Sequence, residues 1–458
     1  MLRAELNTLR ASAGESTAAA SLSLHKPKIL GFDDGTILPP EDFELGTSSA
    51  IMGAAAASRA PLRGDLRVIV VLVQFPDAQI TRSKSEFETL FFTAGTNSVA
   101  DFFSEASGGL VSIKGEIVGP YTLPRNLSEY ANNSSGTGRI APNAQTMAFD
   151  AATAAMAEVD QSLDNDGNGL VDAFIVVHAG RAAEETNNKS DIWSHKWVLP
   201  TGAISAPDGT RIYAYLTVPE DARVGVCAHE LGHLVFGWPD LYDTDGSSEG
   251  VGNWCLMGGG SWNGAGVEAF RPGDVPSQPS AWCKATQGWV DVVVQKRNAQ
   301  VTISDVGKSR TIYRMWKDGT MASEYFLVEN RQREGFDRGL PSSGLLIWHI
   351  DDSITSNTND SHYKVALLQA DGRRDLERAA NRGDAGDPYP DNSRNSNFDA
   401  ESNPSSRSYS GMATSVAVTA IPASSRDMSV RLSVTPDSTA RRRTVTRKDK
   451  PTREGSLT

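Results

Sequence analysis

Val224-Gly225-Val226-Cys227-Ala228-His229-Glu230-Leu231-Gly232-His233-Leu234-Val235-Phe236-Gly237-Trp238-Pro239-Asp240 is the run on which the reading turns. Its apolar lead predicts a buried helix that Gly237 can end and Pro239 cannot continue. Histidines four apart leave a helix on one face, so His229 and His233 can place two imidazole nitrogens on one Zn²⁺. Glu230 then stands beside the metal as general base, able to take a proton from zinc-bound water, whose pKa the ion lowers towards about 7. Asp240, on the returning loop, supplies a carboxylate for the third ligand position and leaves the fourth for water. Further on, Asn253-Trp254-Cys255-Leu256-Met257-Gly258-Gly259-Gly260 sets a methionine before a glycine turn, suited to an apolar floor under the site and not to ligation. The chemistry this pattern serves is amide hydrolysis.

Upstream, Arg67-Val68-Ile69-Val70-Val71-Leu72-Val73-Gln74-Phe75 is a β-branched run stopped by Pro76-Asp77, which predicts a buried central strand. Phe174-Ile175-Val176-Val177, ending at His178-Ala179-Gly180, predicts another. Ser85 to Phe92 and Val99 to Glu105 have helical spacing, and Thr146 to Val159 is an Ala-rich helical segment with Met147, Phe149, Met156 and Val159 recurring. Beyond Val290 the pattern changes to short apolar runs between turn residues: Val301 to Ile303, Tyr325 to Val328, Leu345 to Trp348 and Val416 to Val418. Asp384 to Ser408, rich in Asp, Asn, Ser and Pro, reads as an ordered loop or an insertion rather than a linker. The expected class is α+β: a leader or propeptide-like arm at 1–64, a mixed α/β catalytic domain at 65–295, a β-rich, sandwich-like domain at 296–436, and a basic tail at 437–458 to which no function is assigned.

The chain has 458 residues, with Lys and Arg totalling 44 and Asp and Glu 56, a formal net charge of -12. That charge repels phosphate and argues against a nucleic-acid partner. The longest aliphatic run, Val68 to Val73, is far short of the roughly 20 residues of a spanning helix. Ser, Glu and Thr interrupt every apolar stretch from Met1 to Leu24, so no signal peptide is visible. The three cysteines, Cys227, Cys255 and Cys283, allow one disulfide at most; Cys255 and Cys283 can bridge or stay free.

A second metal is suggested by Asp164-Asn165-Asp166-Gly167-Asn168-Gly169-Leu170-Val171-Asp172, where oxygen side chains alternate along a glycine-permitted tight loop. The spacing resembles the front of an EF-hand loop without its closing glutamate. Asp164, Asp166, Asn168 and Asp172 are the possible calcium ligands, in a structural role. His178, His195 and His349 are expected to be packing residues, and Tyr242 a loop-packing tyrosine.

His229 through Asp243, HELGHLVFGWPDLYD, resembles the immune inhibitor A family of secreted bacterial zinc metalloproteases. Other family-like blocks are Val73 to Asp77, Val177 to Gly180, Ile192 to His195, Ala281 to Lys284 with Gly288 to Val290, Glu329 to Arg331, and Leu346 to Asp351, so the resemblance covers about residues 66 to 435. It implies a metzincin-like fold, secretion, protein or peptide substrates, zinc ligands at His229, His233 and Asp240, and Glu230 as general base. The family pattern HExxHxxGxxD has two residues between the second histidine and the glycine, whereas Leu234, Val235 and Phe236 stand here. Asp243 and Asp245 are therefore alternative third ligands, and Asp240 is preferred because it keeps its spacing from Gly237. The leading expectation is a zinc endopeptidase. The alternative is a calcium-stabilised, catalytically silent binding protein of the same fold.

Overall fold

The computed structural model describes residues 61–436 apart from 268 and 391–394. Most of the expected leader at 1–64 and all of the expected tail at 437–458 lie outside the described residues.

The first aliphatic run forms β1 (Gly64–Gln74) and lies inside a five-stranded sheet. Its neighbours are β2 (Val111–Thr122) and β3 (Phe174–His178), both parallel to it. Beyond β3 come β7 (Ala214–Pro219), parallel, and the antiparallel edge strand β4 (His195–Val198), giving the order β2-β1-β3-β7-β4. A short pair, β5 (Ile204–Ser205) and β6 (Arg211–Ile212), stands apart. From Val68 to Val73, β1 is apolar and buried at every position because both faces of the sheet are covered there. Val68, Val70 and Leu72 enter one core and Ile69, Val71 and Val73 another.

Helices fill the two faces. α1 (Lys84–Phe91) and α2 (Val99–Ser107) send Phe87, Phe91, Phe102 and Phe103 into the first core. The Ser98 hydroxyl accepts from the Asp101 amide and caps α2, and Gly108, at φ 64°, ends it. α3 (Ala144–Ala154) covers the opposite face with Met147, Ala148 and Ala151. It is shorter than the Thr146 to Val159 reading: beyond Ala154 the chain tightens into two 3-10 turns, a path that delivers Val159 and Leu163 to the core. Packing overrides the helical spacing there.

The later strands form two sheets. β8 (Asp291–Val294), β10 (Thr311–Met315), β11 (Glu324–Arg331), β12 (Gly344–Asp351) and β13 (Val365–Leu367) are ordered β13-β12-β11-β10-β8, and β9 (Ala299–Ser304), β14 (Ala417–Thr419) and β15 (Asp427–Ser433) are ordered β14-β15-β9. Phe326, Val328, Leu345 and Ile347 of the larger sheet meet Ile303, Val418, Val430 and Leu432 of the smaller one in a third core. On the other face of the larger sheet, Leu327, Leu346, Trp348 and Ile350 join the first core, the one that also holds the histidine-bearing helix. The long loop is pinned by buried Tyr389 and Phe398. Overall this is a mixed architecture of sheets with few helices, compatible with α+β. All three cysteines are buried, free thiols.

Candidate metal centre

α4 (Val224–Phe236) is buried at every residue and ends at Gly237, φ 65°, whose amide bonds back to the Gly232 and His233 carbonyls. Two glycines seven apart, Gly225 and Gly232, give the helix a flat face. A Cβ at Gly225 would stand 1.8 Å from the Ser261 carbonyl oxygen, and the Gly225 amide donates to the Gly273 carbonyl at 2.8 Å. The segment after the methionine turn thus docks directly on the helix backbone, and Met257 occupies the same face at Gly232.

The two histidines sit on that docked helix with their tautomers set. The Nδ1 of His229 lies 2.9 Å from the Leu256 carbonyl oxygen, and the Nδ1 of His233 lies 2.6 Å from that of Trp238. A carbonyl only accepts, so each Nδ1 must carry the proton, and in the neutral ring each Nε2 presents a lone pair. These lone-pair nitrogens face each other at 3.1 Å, and each lies 3.2 Å from Oδ1 of Asp240. Three electron-rich atoms crowd into a triangle inside the protein, which a cation relieves. Tetrahedral zinc with bonds of about 2.0–2.1 Å to nitrogen and oxygen holds its ligands roughly 3.3 Å apart, so the triangle fits the ion.

The structure brings Asp240, rather than the alternatives, to the imidazoles. The carboxylate of Asp243 is consumed by its own loop: it accepts from the amides of Asp245, Ser247 and Ser248 and from both serine hydroxyls. Asp245 is exposed. Glu230 is buried in α4 beside His229, and the ring of Tyr242 stacks on His229 with centroids 6.1 Å apart.

His178 and His195 lie away from this site. β3 alternates, so His178 shares the face of Phe174 and Val176, opposite to α4, and His195 pairs with Tyr215 on that face. Burial lowers both to a pKa of about 4, holding them neutral. His349 packs face to face on Tyr409, centroids 4.0 Å apart, with its Nε2 2.9 Å from Glu324.

In the acidic loop, Asp164, Asp166 and Asp172 offer oxygens within 4.8 Å of one another. Asp164 gathers the amides of Gly167, Asn168 and Gly169, and Asp172 those of Asn165. Asn168 is turned differently: its Oδ1 accepts from the Leu170 amide at 2.8 Å. A further group of three, Asp371, Asp375 and Asp384, is also within 4.8 Å, and sequence reasoning missed it because only Asp384 falls in the stretch read as loop, while Asp371 and Asp375 lie in no segment that was singled out. The carbonyls of Leu256 and Trp238, which orient the histidines, carry no side-chain signal at all. The Gly225 and Gly232 pair was the one legible clue to the docked face.

Residues 80–290 match the description "Immune inhibitor A peptidase M6, catalytic domain". Over this part the chain is similar to the immune inhibitor A peptidases. Among related proteins, immune inhibitor A of Bacillus thuringiensis subsp. alesti is 27% identical over 297 residues, covering 52% of this chain and 43% of that protein. The pre-pro-metalloprotease PrtV of Vibrio cholerae serotype O1 (strain M66-2) is 28% identical over 275 residues, covering 48% of this chain and 29% of that protein. The chain spans less than half the length of these curated relatives. No helix among the described residues is long and apolar enough to cross a membrane.

Proposed function

We propose that the chain is a zinc endopeptidase of the immune inhibitor A type, acting on proteins or peptides. The observation that carries this reading is the triangle of His229 Nε2, His233 Nε2 and Asp240 Oδ1, with edges of 3.1 to 3.2 Å and both Nδ1 atoms committed to carbonyls. His229, His233 and Asp240 would hold the ion, and zinc, when bound, supplies a Lewis acid for the substrate carbonyl and a lowered pKa for water. Glu230 takes the proton from the attacking water and passes it to the leaving amine. Leu256 and Trp238 keep the imidazoles in the tautomer that leaves Nε2 open. Residues 65–295 form the catalytic unit in this reading and 296–436 an accessory β-rich one, a division that the family match over 80–290 supports.

Calcium in the 164–172 loop is proposed as a structural partner, on the cluster of Asp164, Asp166 and Asp172. Secretion is proposed from the family. The catalytically silent binder is not favoured, because His229, Glu230 and His233 are all retained.

The deciding experiment combines metal analysis with casein hydrolysis on wild type, Glu230→Ala and His233→Ala. Zinc near one equivalent and hydrolysis abolished by a chelator are expected of wild type. Glu230→Ala should keep the zinc and lose the hydrolysis, and His233→Ala should lose both. Wild type that binds zinc and never turns over would overturn the reading.

A further inference from the structure

The cysteines take no part in the proposed chemistry, yet two of them meet. Cys255 closes the 3-10 turn Gly252–Trp254 that leads into Met257, and Cys283 lies in the first turn of α5 (Ala281–Thr286). Both are 0% exposed. The Cys255 sulfur accepts from the Ser280 amide at 3.2 Å and the Met257 amide at 3.4 Å, and the thiol of Cys283 hydrogen-bonds to it. Ser280 works on both sides, because its hydroxyl also accepts from the Cys283 amide at 3.3 Å.

A buried cysteine that only fills space needs no donors. Here one sulfur collects three, and the fully buried Arg331 guanidinium interacts with it as well. Burial pushes both thiols up, but at Cys255 the hydrogen bonds from Cys283 and the two amides outweigh it and bring the pKa below the ordinary thiol value; Cys283 stays well above. A sulfur that accepts from two backbone amides and from a neighbouring thiol is the arrangement of an attacking and a resolving thiol.

We propose that Cys255 and Cys283 are a redox pair that closes to a disulfide on exchange with a small-molecule disulfide such as oxidised glutathione, tying the methionine turn to α5. The Cys255 thiolate attacks one sulfur of the oxidant, whose S–S bond breaks and releases one thiolate, which takes up the proton Cys255 gave to solvent. Cys283 then loses its proton and attacks the Cys255 sulfur, expelling the second small thiolate, which is protonated in turn. Two protein thiols are oxidised by two electrons and one disulfide is reduced to two thiols. The bond would lie one residue from the Leu256 carbonyl that orients His229. The inference is independent of the peptidase reading.

The test uses the full chain, incubated over a time course with oxidised glutathione or with dithiothreitol, then denatured, alkylated and weighed intact. Burial makes exchange wait on local opening, so a parallel series in mild denaturant sets the rate. Reduced protein should alkylate at all three cysteines. Oxidised protein should alkylate only at Cys227, weigh two hydrogens less and hold no glutathione, with the 255 and 283 peptides joined on mapping. Cys283→Ser should instead retain one glutathione on Cys255. Three alkylated cysteines after oxidation in both series, or a bridge that includes Cys227, would overturn the proposal without recourse to any variant.

Discussion

Gly232 and Met257 meet so closely that a Cβ on the glycine would lie 2.7 Å from the methionine Sδ and 3.1 Å from Cε3 of Trp238. The glycine between the two histidines is therefore a packing requirement of the metal site. Its counterpart one heptad earlier, Gly225, faces a backbone oxygen at 1.8 Å.

The two contacts differ in what can yield. Met257 is unbranched and can shift its sulfur, so Gly232→Ala should cost roughly 1–3 kcal/mol of overpacking, partly offset by about 1 kcal/mol of better helix propensity. Ser261 O belongs to a backbone that also holds the loop, so Gly225→Ala should be the more damaging by a clear margin. Urea unfolding of both variants checks the order. Equal midpoints would mean that α4 is not docked as described.

Asp240 and Asp243 are three residues apart and do different work. Asp240→Asn should weaken zinc binding at least tenfold, because it removes the charge that faces both imidazoles, with little loss of stability. Asp243→Asn should do the reverse: zinc stays, but the loop that donates to this carboxylate from three amides and two hydroxyls loosens, at about 1–3 kcal/mol. Zinc titration and thermal unfolding of the two variants give opposite patterns.

Burial acts in opposite senses on His178 and Glu184. His178 is held near 4, below its unfolded value of about 6.5. The neutral ring is favoured, so its contribution is full above about pH 6.5 and is lost as pH falls towards 4. Glu184 is raised to about 7 by burial, so its cost grows as pH rises from about 4.5 to about 7. His178→Leu should therefore gain on wild type as the pH drops from 6.5 to 4, and Glu184→Gln should gain as it climbs from 4.5 to 7. The limit for each is about 3 kcal/mol, from about 1.4 kcal/mol per pKa unit. Differences that do not change with pH would refute both assignments.

Much of this was legible in the residues. β1 and β3 announced themselves as unbroken apolar runs because both faces of their sheet are covered, and α4 because glycine and proline close it. The histidine spacing and the glycine-anchored Asp240 pointed to the three atoms that converge. What stayed hidden depends on backbone or on distance along the chain. The carbonyls of Leu256 and Trp238 have no side-chain signature, and the larger late sheet shares a core with α4 across a long separation along the chain. Thr146 to Val159 misled because helical spacing persists where the chain has already turned to bury Val159 and Leu163.

The acidic loop offers a clean separation of metal from fold, because Asp166 is exposed while Asp172 is buried. Asp172→Ala would remove the acceptor for the Asn165 amide and side chain, and would destabilise the loop with or without an ion. Asp166→Ala removes a carboxylate from the cluster and little packing. If calcium binds there, millimolar calcium should raise the melting temperature of wild type by several degrees, since a ligand at about 100 times its Kd adds about 2.7 kcal/mol. Asp166→Ala should melt with calcium-free wild type and gain little when calcium is added. A wild-type melting temperature indifferent to calcium and to chelator would reduce the loop to a ladder of Asx turns.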